Sequence, residues 1–225
     1  WVQWVTIHTG KRFGEHKIFR LGDIVNHAEL PQIFEELELE GLSVGAVSPF
    51  NAENRLKNSP YFVPDPWTKT EPAGTWMVKA LYQAVHQSVN DNAKSKFNIT
   101  SLISLALGML LYVPLSRWYH FLGTILKGRK PGAKAIILDG LLADIHLALW
   151  KKHKPDFSNL FLNSGAHIQH HYLFNSKAYH GDLKNPEWYC QTDYDPLIQI
   201  LTEYDYQIGN MLKLKNVKIL VATGL

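Results

Sequence analysis

The sequence predicts an α/β protein, a parallel sheet packed between helices, carrying a mostly helical insertion and cut from a longer chain at both ends. Three observations point there. Short apolar runs at 42–47, 157–162 and 217–222 read as buried strands. Each follows a segment of helical periodicity, the alternation that builds a parallel sheet with helices on both faces. The stretch between the first two runs is too long for a simple crossover, so 1–47 and 133–225 form the expected core and 48–132 an insertion or cap.

Composition narrows the function classes. With 225 residues and 46% hydrophobic content the chain can bury a sizeable core, which excludes a disordered or fibrous protein. A net charge of +3 is too small to argue for a nucleic-acid polymer as partner. The single Cys190 cannot form an internal disulfide, so no oxidising compartment is required. The chain opens on Trp1, already inside an apolar pattern with Val2, Trp4, Val5 and Ile7, and stops at Leu225 just after an apolar run. A piece of a longer protein is the expectation.

The elements follow in order. At 31–40, PQIFEELELE places Pro31 in a first turn, acidic residues behind it, and Gly41 as the stop before the first strand. The insertion opens with a turn-rich segment, continues with a helical pattern near 75–89, and reaches an uncharged stretch at 97–116. That stretch is long enough to span a bilayer. Its Asn98, Thr100, Ser101, Ser104, Gly108 and Pro114 and its charged neighbours favour a buried cap helix, so no membrane partner is expected. The basic loop KGRKPGAK at 127–134 bounds the insertion and lacks the spacing of a phosphate-binding loop. A helix over 139–153 gives way at Pro155 to the second strand. The last helix starts at Asp195-Pro196, cap and first position, and aligns Leu197, Ile200, Leu201, Tyr204, Ile208 and Leu212 on one face.

The densest chemical signal is 163–171, Asn-Ser-Gly-Ala-His-Ile-Gln-His-His, just past the second strand. Ligands of open parallel sheets gather beyond the carboxyl ends of the strands. His167 and His171 are four apart, so a helical turn sets both imidazoles on one face within reach of one metal ion, while His170 points elsewhere or reaches a second ion. Three histidines hydrogen-bonded at a packed loop is the plainer alternative. Thr9-Gly10, between His8 and His16, is a second cluster that makes Thr9 a candidate substrate contact, and by itself it is a helix stop. Asp65 lies between Pro64 and Pro66, which freeze its loop and make it a candidate substrate contact.

The order of these motifs resembles the alkaline phosphatase superfamily, closest to its type I phosphodiesterase/nucleotide pyrophosphatase branch. The resemblance rests on Thr9-Gly10 followed by His16, on the helix and strand of PQIFEELELEGLSVGAVS, on KPDFSNLFLNSGAH, and on Asp205 to Gly209 before the run at 217–222. It implies a parallel-sheet sandwich of the alkaline phosphatase type and a metal-dependent hydrolase of small phosphate or sulfate esters. It also implies zinc as the divalent ion, His167 as a metal ligand, and a Thr or Ser nucleophile falling ahead of Trp1. Asn163 stands where the family has an aspartate ligand, and Ala222-Thr223-Gly224 where it has Ser-Asp-His. Two expectations follow: a rebuilt site with His170 and His171 as replacement ligands, or a degenerate relative that binds a nucleotide, glycan or partner without hydrolysis. A third reading, a membrane-associated transferase, rests on 97–116 alone.

Overall fold

The computed structural model describes residues 2–90, 99–126, 131–190 and 194–223. Within them the chain divides into two compact units, one from 2–112 and 148–161, the other from 113–147 and 162–223. The protein is mixed α/β, with a small parallel sheet in the first unit.

That sheet holds β1 (Val44–Val47), β2 (Tyr61–Val63) and β3 (Phe157–Leu160) in the order β2-β1-β3, all parallel. β1 is central and buried throughout, which suits its unbroken apolar sequence. Gly45 pairs with Tyr61 on one side and Ser158 on the other. The Tyr61 ring lies over Gly45, so that a Cβ there would run into three ring atoms, and its hydroxyl reaches Ser158 Oγ at 2.8 Å. One side chain thus crosses the central strand and ties both outer strands together. Burial pushes the Tyr61 phenol up to about 12.

β1 is preceded by α3 (Ile33–Leu39), close to the expected 31–40. Gln32 and Glu35 form a reciprocal capping box, and Gly41 ends the helix at φ +82°. Phe34 drops from α3 onto Val44, Ala46 and Phe62 to make the sheet's core. α1 (Val2–Thr9) and the short α2 (Phe13–His16) complete this end of the unit, with Val5 packed on Ile18 and Ile24.

Three features differ from the sequence expectation. β2 falls in what reads as a proline-stiffened loop, because only three residues precede Pro64 and their strand character comes from pairing with β1. The run at 217–222 is irregular, with Leu220 91% exposed, because no strand lies beside it among the described residues. The uncharged stretch 97–116 breaks at Pro114 into α5 (Ile99–Tyr112) and α6 (Leu115–Leu126), of which α5 packs on α4 (Trp76–Asn90). α5 is not a buried cap helix: Ser101 and Ser104 are buried, while Ile99, Ile103, Leu110 and Leu111 are exposed. Among the described residues no helix is long and apolar enough to cross a membrane.

α7 (Ala133–His153) spans the boundary between the units, with residues up to 147 in the second. There it joins α8 (Ser164–Tyr172) and α9 (Pro196–Met211). Asp195 caps α9 as expected, accepting from the N–H groups of Leu197 and Ile198.

Gly45→Ala is expected to lower stability by about 1–3 kcal/mol through the clash with Tyr61, seen as a lower urea midpoint at unchanged slope. An unchanged midpoint would mean that the ring moves aside without cost.

Candidate functional site

In the first unit, the carboxyl ends of the strands are closed by a bonded rim. Asp65, just past β2, is buried and accepts from the N–H groups of Asn51 (2.8 Å), Trp67 (2.8 Å) and Thr68 (2.9 Å) and from the Thr68 hydroxyl (2.6 Å). Burial raises its pKa in spite of these four donors. A carboxylate so occupied organises the loop and offers no oxygen to solvent. Asn51 in turn accepts from Gly22 N–H at 2.9 Å. Above the rim, Phe161, just past β3, packs edge-on to Trp4 at 4.5 Å and against Phe50 at 4.8 Å.

α1 reaches the same rim. His8 is buried on Phe34, and its Nε2 lies 3.0 Å from the Phe50 carbonyl, so that nitrogen carries the proton. Burial holds the imidazole down to about 4, so it stays neutral. His16 accepts Ile18 N–H at Nδ1, which leaves Nε2 to donate to Thr6 Oγ1 at 3.1 Å. Thr9 donates to the Val5 carbonyl (2.7 Å) and accepts from Lys11 N–H, and Gly10 ends the helix at φ +66°. These residues do the work of a helix terminus.

The second unit holds the histidines. α8 begins at Ser164, three residues past Phe161 in the chain, with half-buried Asn163 at its N-cap. Its inner face is Ile168, packed on Ile136 of α7 and Leu197 and Ile200 of α9. The outer face therefore carries His167, His170 and His171, all exposed. His167 and His171 lie one turn apart with ring centroids at 4.7 Å. The Tyr189 hydroxyl sits 2.5 Å from His171 Nδ1, and its ring stacks on Tyr172. That contact occupies Nδ1 and orients the ring with Nε2 as the nitrogen for a ligand. Burial, then the neighbouring His171 and His170, lower the His167 pKa and keep its lone pair available at neutral pH.

Sequence reasoning missed what positions this helix. The buried Asp139 of α7 accepts Ser164 N–H (2.8 Å) and the Tyr204 hydroxyl of α9 (2.6 Å), while Tyr204 accepts Gly165 N–H at 2.8 Å. Two orphan donors of the α8 N-terminus are thus met by side chains from two other helices. Burial pushes Asp139 up to about 6 despite those bonds. Farther along the same helices, buried Arg117 of α6 binds Asp144 (3.1 Å) and Glu203, with Gln207 donating to Glu203 at 2.8 Å. A buried guanidinium needs such partners.

The structure brings His167 and His171 together, with His170 on the same helix and Asn163 at its start. Thr9 and Asp65 belong to the first unit. Among the described residues, no group of three or more His, Cys, Asp or Glu is gathered tightly enough to hold a metal ion. The donor set among the described residues is a pair of imidazoles, half of a tetrahedral zinc shell.

Asp139→Asn gives a pH test. The folded-state pKa lies above the ordinary carboxyl value, so this residue's contribution to stability is complete below pH ~4 and is lost as pH rises through about 6. Urea midpoints of the parent should fall across that window, and those of Asp139→Asn, which keeps an oxygen acceptor without the charge, should fall less. Parallel curves would show that Asp139 does not titrate there. No family model, curated protein or solved structure matches this chain.

Proposed function

We propose that the chain is part of a metal-dependent hydrolase of phosphate or sulfate esters, with α8 supplying imidazole ligands. The observation that carries this reading is the His167–His171 pair, exposed on one face of a helix that begins just past β3, with one ring oriented by Tyr189. The resemblance to type I phosphodiesterases supports it, since His167 falls on that family's ligand histidine.

A divalent ion, when bound, polarises the ester's non-bridging oxygen. His167 and His171 would hold it through one ring nitrogen each. Tyr189 fixes the His171 ring, and the neutral state of His167 spares binding the cost of removing a proton. Asn163 is a neutral oxygen donor where a carboxylate would offset the ion's charge, so the remaining ligands come from outside the described residues, from substrate or from water.

A second reading is supported by Asn163, a neutral residue where the resemblance puts an aspartate ligand. In it the chain is a degenerate relative that binds a nucleotide, glycan or partner without hydrolysis.

Zinc titration of the purified full-length protein separates the two. His167→Ala and His171→Ala are each expected to weaken zinc affinity by at least tenfold, and Tyr189→Phe by about tenfold, while parent hydrolysis of bis(p-nitrophenyl) phosphate or p-nitrophenyl sulfate stops with chelator. Binding of a phosphate ester that ignores chelator, with no turnover, would favour the second reading. Absence of both zinc binding and hydrolysis would overturn the first.

A further inference from the structure

We propose that zinc joins two copies of the protein through their α8 faces, with His167 and His171 of each copy filling all four positions around one ion. The inference rests on the reading of α8 as a zinc-binding helix and gives that site a partner and a means of regulation.

The pair has the spacing of two ligands on one ion. Zinc–nitrogen bonds of about 2.0–2.1 Å at tetrahedral angles set two imidazole ring centres roughly 5 Å apart. Those of His167 and His171 are 4.7 Å apart. Tyr189 holds Nδ1 of His171, which assigns Nε2 to the ion. His170 lies about 100° around the helix from His171 and cannot share its ion.

Shape selects a second copy to complete the shell. Ile168 is the inward residue of α8, packed on α7 and α9. The exposed pair therefore stands on the convex outer surface of a helix, and an ion held there projects away from the packed side. A twofold axis through the ion brings up an identical pair, and two pairs make the four donors that zinc takes. Trp188, 85% exposed, stands edge-on to Tyr189 at 5.8 Å and gains apolar cover when the two copies meet. His167, His171, Trp188 and Tyr189 all belong to the second unit, so one compact body carries the whole surface.

Four protein nitrogens leave no position for water or ester, which is the arrangement of structural zinc; a catalytic ion keeps one open. The joined copies are thus a resting form. In the single copy the remaining positions go to water and substrate, and that is the hydrolytic form. Mass action sets the balance: half an equivalent of zinc per chain favours the joined form, and excess zinc gives each copy its own ion.

Sedimentation velocity of the purified full-length protein, titrated with zinc chloride after removal of metal with EDTA, tests this. Half an equivalent per chain should double the mass found without metal, and several equivalents should return it to the starting value. Hydrolysis of bis(p-nitrophenyl) phosphate per chain should rise as the mass falls. His167→Ala and His171→Ala, at exposed positions, should each hold the mass at its metal-free value with unchanged circular dichroism. Trp188→Ala should weaken the zinc-dependent association about tenfold while zinc still binds. One zinc bound per chain with no change of mass would overturn the proposal and leave α8 standing as a zinc-binding helix. A zinc-dependent doubling that survives both histidine substitutions would also overturn it. Absence of any zinc binding would remove the reading of α8 together with the proposal.

Discussion

The presentation of the histidines depends on one buried carboxylate. Asp139 sits beneath the first turn of α8 and takes the Ser164 N–H and the Tyr204 hydroxyl, while Tyr204 takes the next N–H, that of Gly165. A helix end buried without partners would carry unsatisfied donors at a cost of about 1–3 kcal/mol each. Meeting them from α7 and α9 fixes where α8 starts and how it is turned. With Ile168 inward against Ile136 and Ile200, the 3.6-residue period leaves His167 and His171 no place but the outer face. The imidazole pair follows from a cap and a core contact, neither of which includes a histidine.

The same logic of a polar group met at a distance recurs in both units. In the sheet, Tyr61 reaches across Gly45 to Ser158, and the missing side chain of the central strand makes room for the ring. At the strand ends, Asp65 gathers four donors and holds the loop after β2 to the loop after β1. In the helices, Arg117 is met by Asp144 and Glu203. Each site removes a charge or a strong dipole from water, and each includes at least one partner from another segment of the chain. Conformational precision is gained there at the expense of desolvation, which is why the Asp65, Asp139 and Asp144 carboxyls all titrate higher than usual.

α9 shows the limit of reading a face from hydrophobicity. Its pattern aligns Leu197, Ile200, Leu201 and Leu212, yet Leu201 and Leu212 are exposed and Glu203 and Gln207 are buried. The helix is rotated because Arg117 is buried on α6 and a buried guanidinium requires carboxylate and amide partners. α5 shows the converse, where branched residues lie outside because Gly108 and two serines allow close approach to α4. In both, the neighbouring helix decided which side turned inward.

The sequence by itself determined the parallel α/β class, strands at 44–47 and 157–160, a helix ahead of the first strand, the capped start of α9, and the helical spacing of His167 and His171. These rest on local physics: periodicity, capping chemistry, and the conformations open to glycine and proline. Tertiary structure alone decided that Tyr61–Val63 is a strand while the apolar run at 217–222 is not, since a strand exists only through its partner. It alone made Asp65 a loop staple and Asp139 the anchor of α8. A buried carboxylate's role is set by which donors the fold brings to it, and those donors lie up to 65 residues away in the chain.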